Sequence, residues 1–176
     1  DDTLWGGAVG EVGVEGLALG GHDRAGEAFL DFQRALKALQ RRGVLLAIAS
    51  KNAEEMAMAA VDGHPEMVLG RADFAGWRID WGDKAAHIVS LAAEFNLGLQ
   101  DVVFIDDNPA ERARVREALP AVLVPEWPAD PAHYNRALEQ LRCFDAPVCT
   151  WEDAQRNRMY ADERARRQER VAVGSL

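Results

Sequence analysis

The sequence predicts an α/β fold built on a doubly wound parallel sheet, and three observations carry that prediction. Two short continuous apolar runs, Val44 to Ala49 and Val102 to Ile105, have the composition of parallel strands buried on both faces. Between them lie segments whose apolar residues recur at three- and four-residue steps, the period of amphipathic helices. Runs and helices then alternate along the chain, as βαβ crossovers require.

The elements follow in order. Phe29, Phe32, Leu36 and Leu39 stripe one side of a helix from Ala25 to Arg42, and Gly43 ends it. The Val44 run follows as a buried strand, then a helix from about Ala53 to Val61 and a further short strand at Met67-Val68-Leu69. Ile88, Leu91, Ala92 and Phe95 place another helix over Lys84 to Phe95. The Val102 run ends in Asp106-Asp107-Asn108-Pro109, where Asn108 caps and Pro109 opens a helix to Leu119. Ala121 to Val124 repeats the strand pattern, and Asp130-Pro131 starts a helix to about Leu141. Two segments stand outside the alternation. Trp5 to Arg24 holds seven glycines and reads as a loop or small hairpin over the sheet edge. Residues 146–176 read as a helical tail or connector beyond a core domain of residues 1–145.

Composition narrows the function. With 176 residues, 48% apolar and 28% charged, the chain has enough apolar material for a single globular core. Its net charge of −9 argues against nucleic acid as a general partner, because phosphate neutralisation needs clustered Lys and Arg. No apolar stretch has the length of a membrane span, and the N-terminus lacks the basic and apolar regions of a signal peptide. Cys143 and Cys149 are too few for a disulfide framework, so a reducing, cytoplasmic setting is expected.

Ligands of open parallel sheets bind beyond the carboxyl ends of strands, which directs attention to three places. Asp1-Asp2-Thr3 opens the chain, Ser50-Lys51-Asn52 follows the first run, and Asp106-Asp107 follows the second. Adjacent acids at a strand end repel each other and call for a divalent cation or an outward orientation. Lys84 sits at a helix start, against the dipole, and a bound phosphate would account for that placement. Singly these residues also read as caps and solvated charges. His22, His64, His87 and His133 show no metal spacing. Trp5, Trp77 and Trp81 fall near the expected active face, as packing or as lining.

In this order the residues resemble the motifs of the haloacid dehalogenase (HAD) superfamily. Asp1-Asp2-Thr3 matches the end of its D-x-D-x-T motif, Ser50 its second motif, Lys84 its third and Asp106-Asp107 its fourth. More narrowly, Asp2 to Gly7, Ser50-Lys51-Asn52, His64-Pro65-Glu66-Met67 and Asp106 to Arg112 resemble the FkbH-like branch, over about Asp1 to Leu141. The alignment makes Asp1 the second motif acid, so the nucleophilic Asp would stand two residues ahead of it. A first strand and a nucleophile are missing from the sequence, and a trimmed or partial chain is expected.

The resemblance implies phosphoryl transfer through an aspartyl-phosphate with Mg2+. It gives Asp1 the roles of general acid and base and of a carbonyl ligand to the metal, with Asp106 and Asp107 as carboxylate ligands. Ser50, Lys51 and Asn52 would cradle the phosphoryl group, and Lys84 would neutralise it. FkbH-like relatives imply a phosphorylated three-carbon acid as substrate and an acyl carrier protein as partner, with a glyceryl unit loaded in polyketide biosynthesis. Cys143 and Cys149 read as incidental to that thioester step. Trp5 to Arg24 is too short for a large cap, and so open a site suits a carrier protein. The six arginines from Arg156 to Arg170 are the one dense basic source for docking such a partner, or else a solvated helix face. A plain small-molecule phosphatase and a catalytically silent docking module are the rival readings.

Overall fold

The computed structural model describes residues 1–145 together with Gln155, Met159, Tyr160, Asp162, Glu163 and Arg166. Most of the expected tail, including Cys149 and five of the six arginines, lies outside the described residues.

Helix α1 (Val9–Val12) and a 3-10 turn at Val14–Gly16 form the glycine-rich excursion, which an antiparallel bridge between Gly6 and Ala18 closes. Trp5, Val9, Leu17 and Leu19 bury its inner side. Asp23 caps α2 (Arg24–Arg41) by accepting from the amides of Ala25 and Gly26. Gly43, at φ +94°, lets the chain turn from that helix into β1 (Leu46–Ser50). Next come α3 (Glu54–Gly63), β2 (Phe74–Ile79) and α4 (Lys84–Glu94), the last capped by Asp83. Asn108 caps α5 (Pro109–Ala118) with Pro109 in its first turn, and α6 (Tyr134–Gln140) follows a 3-10 turn at Pro131–His133.

Strands β1 and β2 pair in parallel, from Leu46 opposite Phe74 to Ser50 opposite Ile79, with an irregularity after Leu46. Period-2 alternation along β1 sends Leu46 and Ile48 into the main core with α2, α3 and α6, and Leu45 and Ala49 toward α4. Val102 and Phe104 pack with α4 and α5 on that second side, and Ile105 faces the first. Helices thus cover both faces of a parallel sheet.

Three strand expectations are corrected. Met67-Val68-Leu69 is not a strand: the amides of Val68 and Leu69 donate to Gln33 Oε1 of α2 instead of joining a ladder. Strand β2 lies where sequence patterning gave none, because Gly76 and Arg78 interrupt its apolar run. Burial on both faces also fails for the two apolar runs. Ala47 is exposed, and Leu45, Leu46, Ile48, Ala49, Val102, Val103 and Ile105 are only half-buried. The physical reason lies in the pairing. Among the described residues β1 pairs with β2 alone, and the Val102 run makes one parallel bridge, Val103 to Leu123. Between the two runs a cavity of about 810 Å3 stretches from Asp101 and Phe144 to Asp106 and Asp1, lined by both. Two open strand edges face each other across it.

Candidate active site

The carboxyl ends of β1 and of the Val102 run bring six of the expected residues to one end of that cavity: Asp1, Ser50, Asn52, Lys84, Asp106 and Asp107. Lys84 occupies the first turn of α4 and aims its Nζ at Asp106 Oδ2, 2.6 Å away. Asp106 is buried, at 5% exposure of its side chain, and Lys84 is partly buried, at 12%. Asp106 Oδ1 accepts from the Asn108 amide, which seats the carboxylate at the entrance to α5. Asp107 Oδ1 accepts from Thr3 Oγ1 at 3.0 Å, linking the first motif to the fourth across the fold. Burial pushes the Asp107 carboxyl above the usual range, and the neighbouring Asp106 charge adds to this against the Thr3 hydrogen bond.

The Asp1 carboxylate is held at three points. Trp5 Nε1 and the Val9 amide donate to one oxygen, and Asn52 Nδ2 donates to the other at 3.0 Å. Trp5 therefore acts as an anchor of Asp1. Asp2 adopts φ +50°, a left-handed conformation that Asp tolerates better than most residues. Its side chain accepts from the Gly7 amide and its carbonyl accepts from Tyr134 Oη. The Tyr134 phenol is pushed up to about 12, first by burial and then by Asp107 and Asp2, so it stays a donor. The Leu4 carbonyl accepts from Gln33 Nε2, whose side chain is fully buried.

Ser50 ends β1 beside these groups, and its carbonyl accepts from the Asp80 amide. Lys51 turns away to pair with Glu111 at 2.6 Å, and the Asn52 side chain serves Asp1 and its own neighbour Ala53. Only their backbone amides are left for an anion. The Asp1 carbonyl uses one lone pair on the Thr3 amide. Among the described residues no three His, Cys, Asp or Glu side chains gather as a metal cage. Two carboxylates with room for water still make a hard-oxygen donor set of the kind magnesium takes.

Sequence reasoning passed over several partners. His87, one turn beyond Lys84, is buried and lies 2.9 Å by its Nε2 from Asp80 Oδ1. A Cβ on Gly82 would sit 2.7 Å from Asp80 Oδ1 and would make the Asp80 side chain shift away from His87. Arg112 and Tyr134 also went unassigned, because helical spacing gives no hint of a reach back to the strand ends. Trp77 packs in the main core with its Nε1 on Glu54, and Trp81 is 76% exposed. Arg42 donates to the Phe144 carbonyl, which puts Cys143 at the amino end of β1, opposite Ser50. Desolvation and the charge of Asp145 push its thiol up, away from a reactive thiolate.

No family model and no curated protein matches the sequence. One solved structure does: the crystal structure of the N-terminal part of the protein BF1531 from Bacteroides fragilis, containing a phosphatase domain complexed with Mg. It is 41% identical with a TM-score of 0.82, over 84% of this chain. The chain spans 39% of the length of that structure's own chain. The likeness fixes the fold as a HAD-like phosphatase-domain α/β fold.

Proposed function

We propose that the domain performs magnesium-dependent phosphoryl hydrolysis. One observation carries the reading: Asp106, Asp107, Lys84 and Ser50, from three separate segments, converge at one end of a parallel sheet with Asp1. The phosphatase domain with Mg in the similar structure supports it. Asp106 and Asp107 would hold the ion, with the Asp1 carbonyl as a further oxygen. When bound, magnesium supplies positive charge against phosphoryl oxygens. Lys84 adds a second cation, and Ser50 Oγ with the amides of Lys51 and Asn52 offers donors to the same oxygens. The Asp1 carboxylate, oriented by Trp5, Val9 and Asn52, gives and takes the proton.

The open slot belongs to the same reading. A strand ahead of Asp1 would pair with both free edges, β1 and the Val102 run, and fill the apolar cavity. It would enter at Asp1, whose backbone nitrogen lies among the charges of Asp107, Asp2, Lys84 and Asp106. An aspartate two residues ahead of Asp1 would then complete the site as its nucleophile.

The finer reading is that a phosphorylated three-carbon acid is dephosphorylated and its glyceryl unit is loaded onto an acyl carrier protein, in cytoplasmic polyketide biosynthesis. The FkbH-like motifs support it, and so does the small size of the Trp5–Arg24 excursion, which meets the site through Trp5 and Asp1. A plain small-molecule phosphatase is the second reading. The position of Cys143 favours it, because among the described residues no thiol lies beside Ser50 or Asp106. The test uses a longer chain with a strand ending in aspartate two residues ahead of Asp1, mixed with the acid, magnesium and a carrier protein. Phosphate release that needs magnesium and fails in Asp106→Asn carries the phosphatase reading. A carrier protein that gains the glyceryl mass carries the finer one, and release without that gain leaves the plain phosphatase. A folded longer chain that releases no phosphate overturns both and leaves the silent module.

A further inference from the structure

Arg112 lies one turn inside α5 and is only 5% exposed, yet it carries a full charge. Its guanidinium turns back along the helix toward the strand end. The same nitrogen, Nη1, donates to the carbonyl of Asp106 and to the carbonyl of Asp107, both at 2.8 Å. The other, Nη2, lies 3.6 Å from Glu126 at the surface, and Nε finds no acceptor among the described residues. Burying a guanidinium is costly unless it is hydrogen-bonded, so the two carbonyls are what holds it there.

Those carbonyls belong to the residues that present the paired carboxylates. Pinning both fixes the peptide between Asp106 and Asp107, and with it the directions of the two side chains. The buried positive charge also sits behind a pair of acids that repel each other. We infer that Arg112 is a positioning residue: it aims the Asp106 and Asp107 carboxylates at a common divalent cation without touching the cation itself. This inference rests on the metal role proposed above for Asp106 and Asp107. Lysine at this position keeps the charge, but its side chain is one bond shorter and leaves no donor where Nη1 bridges the two carbonyls.

The experiment has two readouts on the wild-type chain, Arg112→Lys and the surface control Arg34→Lys, with Arg112→Gln added in case the lysine variant does not fold. Mg2+ affinity is measured by calorimetry on protein shown to be folded by circular dichroism. Exchange of the Asn108 amide, which donates to Asp106 Oδ1, is followed by NMR without metal. Arg112→Lys should bind Mg2+ about 10- to 100-fold more weakly, as loss of a partner that orients metal ligands does, and its Asn108 amide should exchange faster. A merely structural arginine would lower the unfolding temperature and leave affinity in the folded state unchanged. Wild-type affinity in Arg112→Lys overturns the inference. If the wild-type chain itself binds no Mg2+, the metal reading falls. Asn108 exchange then decides alone: unchanged exchange in Arg112→Lys overturns the positioning role, and faster exchange upholds it.

Discussion

Replacing Lys84 by methionine removes an ammonium 2.6 Å from Asp106 Oδ2 and keeps the apolar stem. What remains is a carboxylate at 5% exposure beside a second acid. Breaking a buried pair by removing one partner costs about 3 to 5 kcal/mol. The Asn108 amide still donates to Asp106, which argues for the lower end, about 3 kcal/mol. That is a large share of the roughly 5 to 15 kcal/mol that holds a domain folded. The cost comes from the stranded charge, so removing the charge should return most of it. Lys84→Met with Asp106→Asn should therefore be more stable than Lys84→Met alone, with a coupling energy of about 2 kcal/mol. Urea unfolding of the four chains without divalent cations measures this cycle. Mg2+ should narrow the deficit of Lys84→Met, since it compensates the same carboxylate. A Lys84→Met chain within about 0.5 kcal/mol of wild type, or a double variant no more stable than the single, would refute the reasoning.

Further outcomes follow from the same site. Burial raises the Asp107 carboxyl, so its contribution to stability is complete below the unfolded carboxylate value and is lost as pH rises through the raised folded one. Asp107→Asn should therefore melt above wild type in chelator, by a margin that widens as pH rises from about 4. Gln33→Met strands the Leu4 carbonyl and the Val68 and Leu69 amides, held at 2.8, 3.0 and 3.2 Å. It should cost about 3 kcal/mol in urea unfolding, at about 1 kcal/mol for each group. Lys84→Ala should weaken inorganic phosphate binding, read by calorimetry on the folded fraction. A chain lengthened ahead of Asp1 by an apolar strand should unfold at higher urea with a steeper dependence, because the slot closes and more surface is exposed on unfolding.

The parts of this fold legible in the sequence are those decided within a few residues. The stripe of Phe29, Phe32, Leu36 and Leu39, the stop at Gly43 and the Asn108-Pro109 helix start are local matters of period and capping. Strand β2 was not legible because Gly76 and Arg78 break its pattern, and pairing with β1, not composition, makes it a strand. Met67-Val68-Leu69 misleads for the opposite reason. Its apolar run looks like a strand, but a glutamine on the buried side of α2 takes its amides. At the site, the residue types at the strand ends were readable, and their tertiary commitments were not. Nothing local says that Asn52 would orient Asp1, that Lys51 would turn to Glu111, or that Arg112 would reach back to two carbonyls.

The central claim is that Asp106 and Asp107 form a divalent-cation site. It is tested most directly by titrating Mg2+ into the wild-type chain and Asp107→Asn while following the unfolding temperature. Binding to the folded state alone raises that temperature with ligand concentration. Wild type should show a saturable rise, and Asp107→Asn, already more stable in chelator, should show little or none. An equal rise in both chains, or none in the wild type, would contradict the claim.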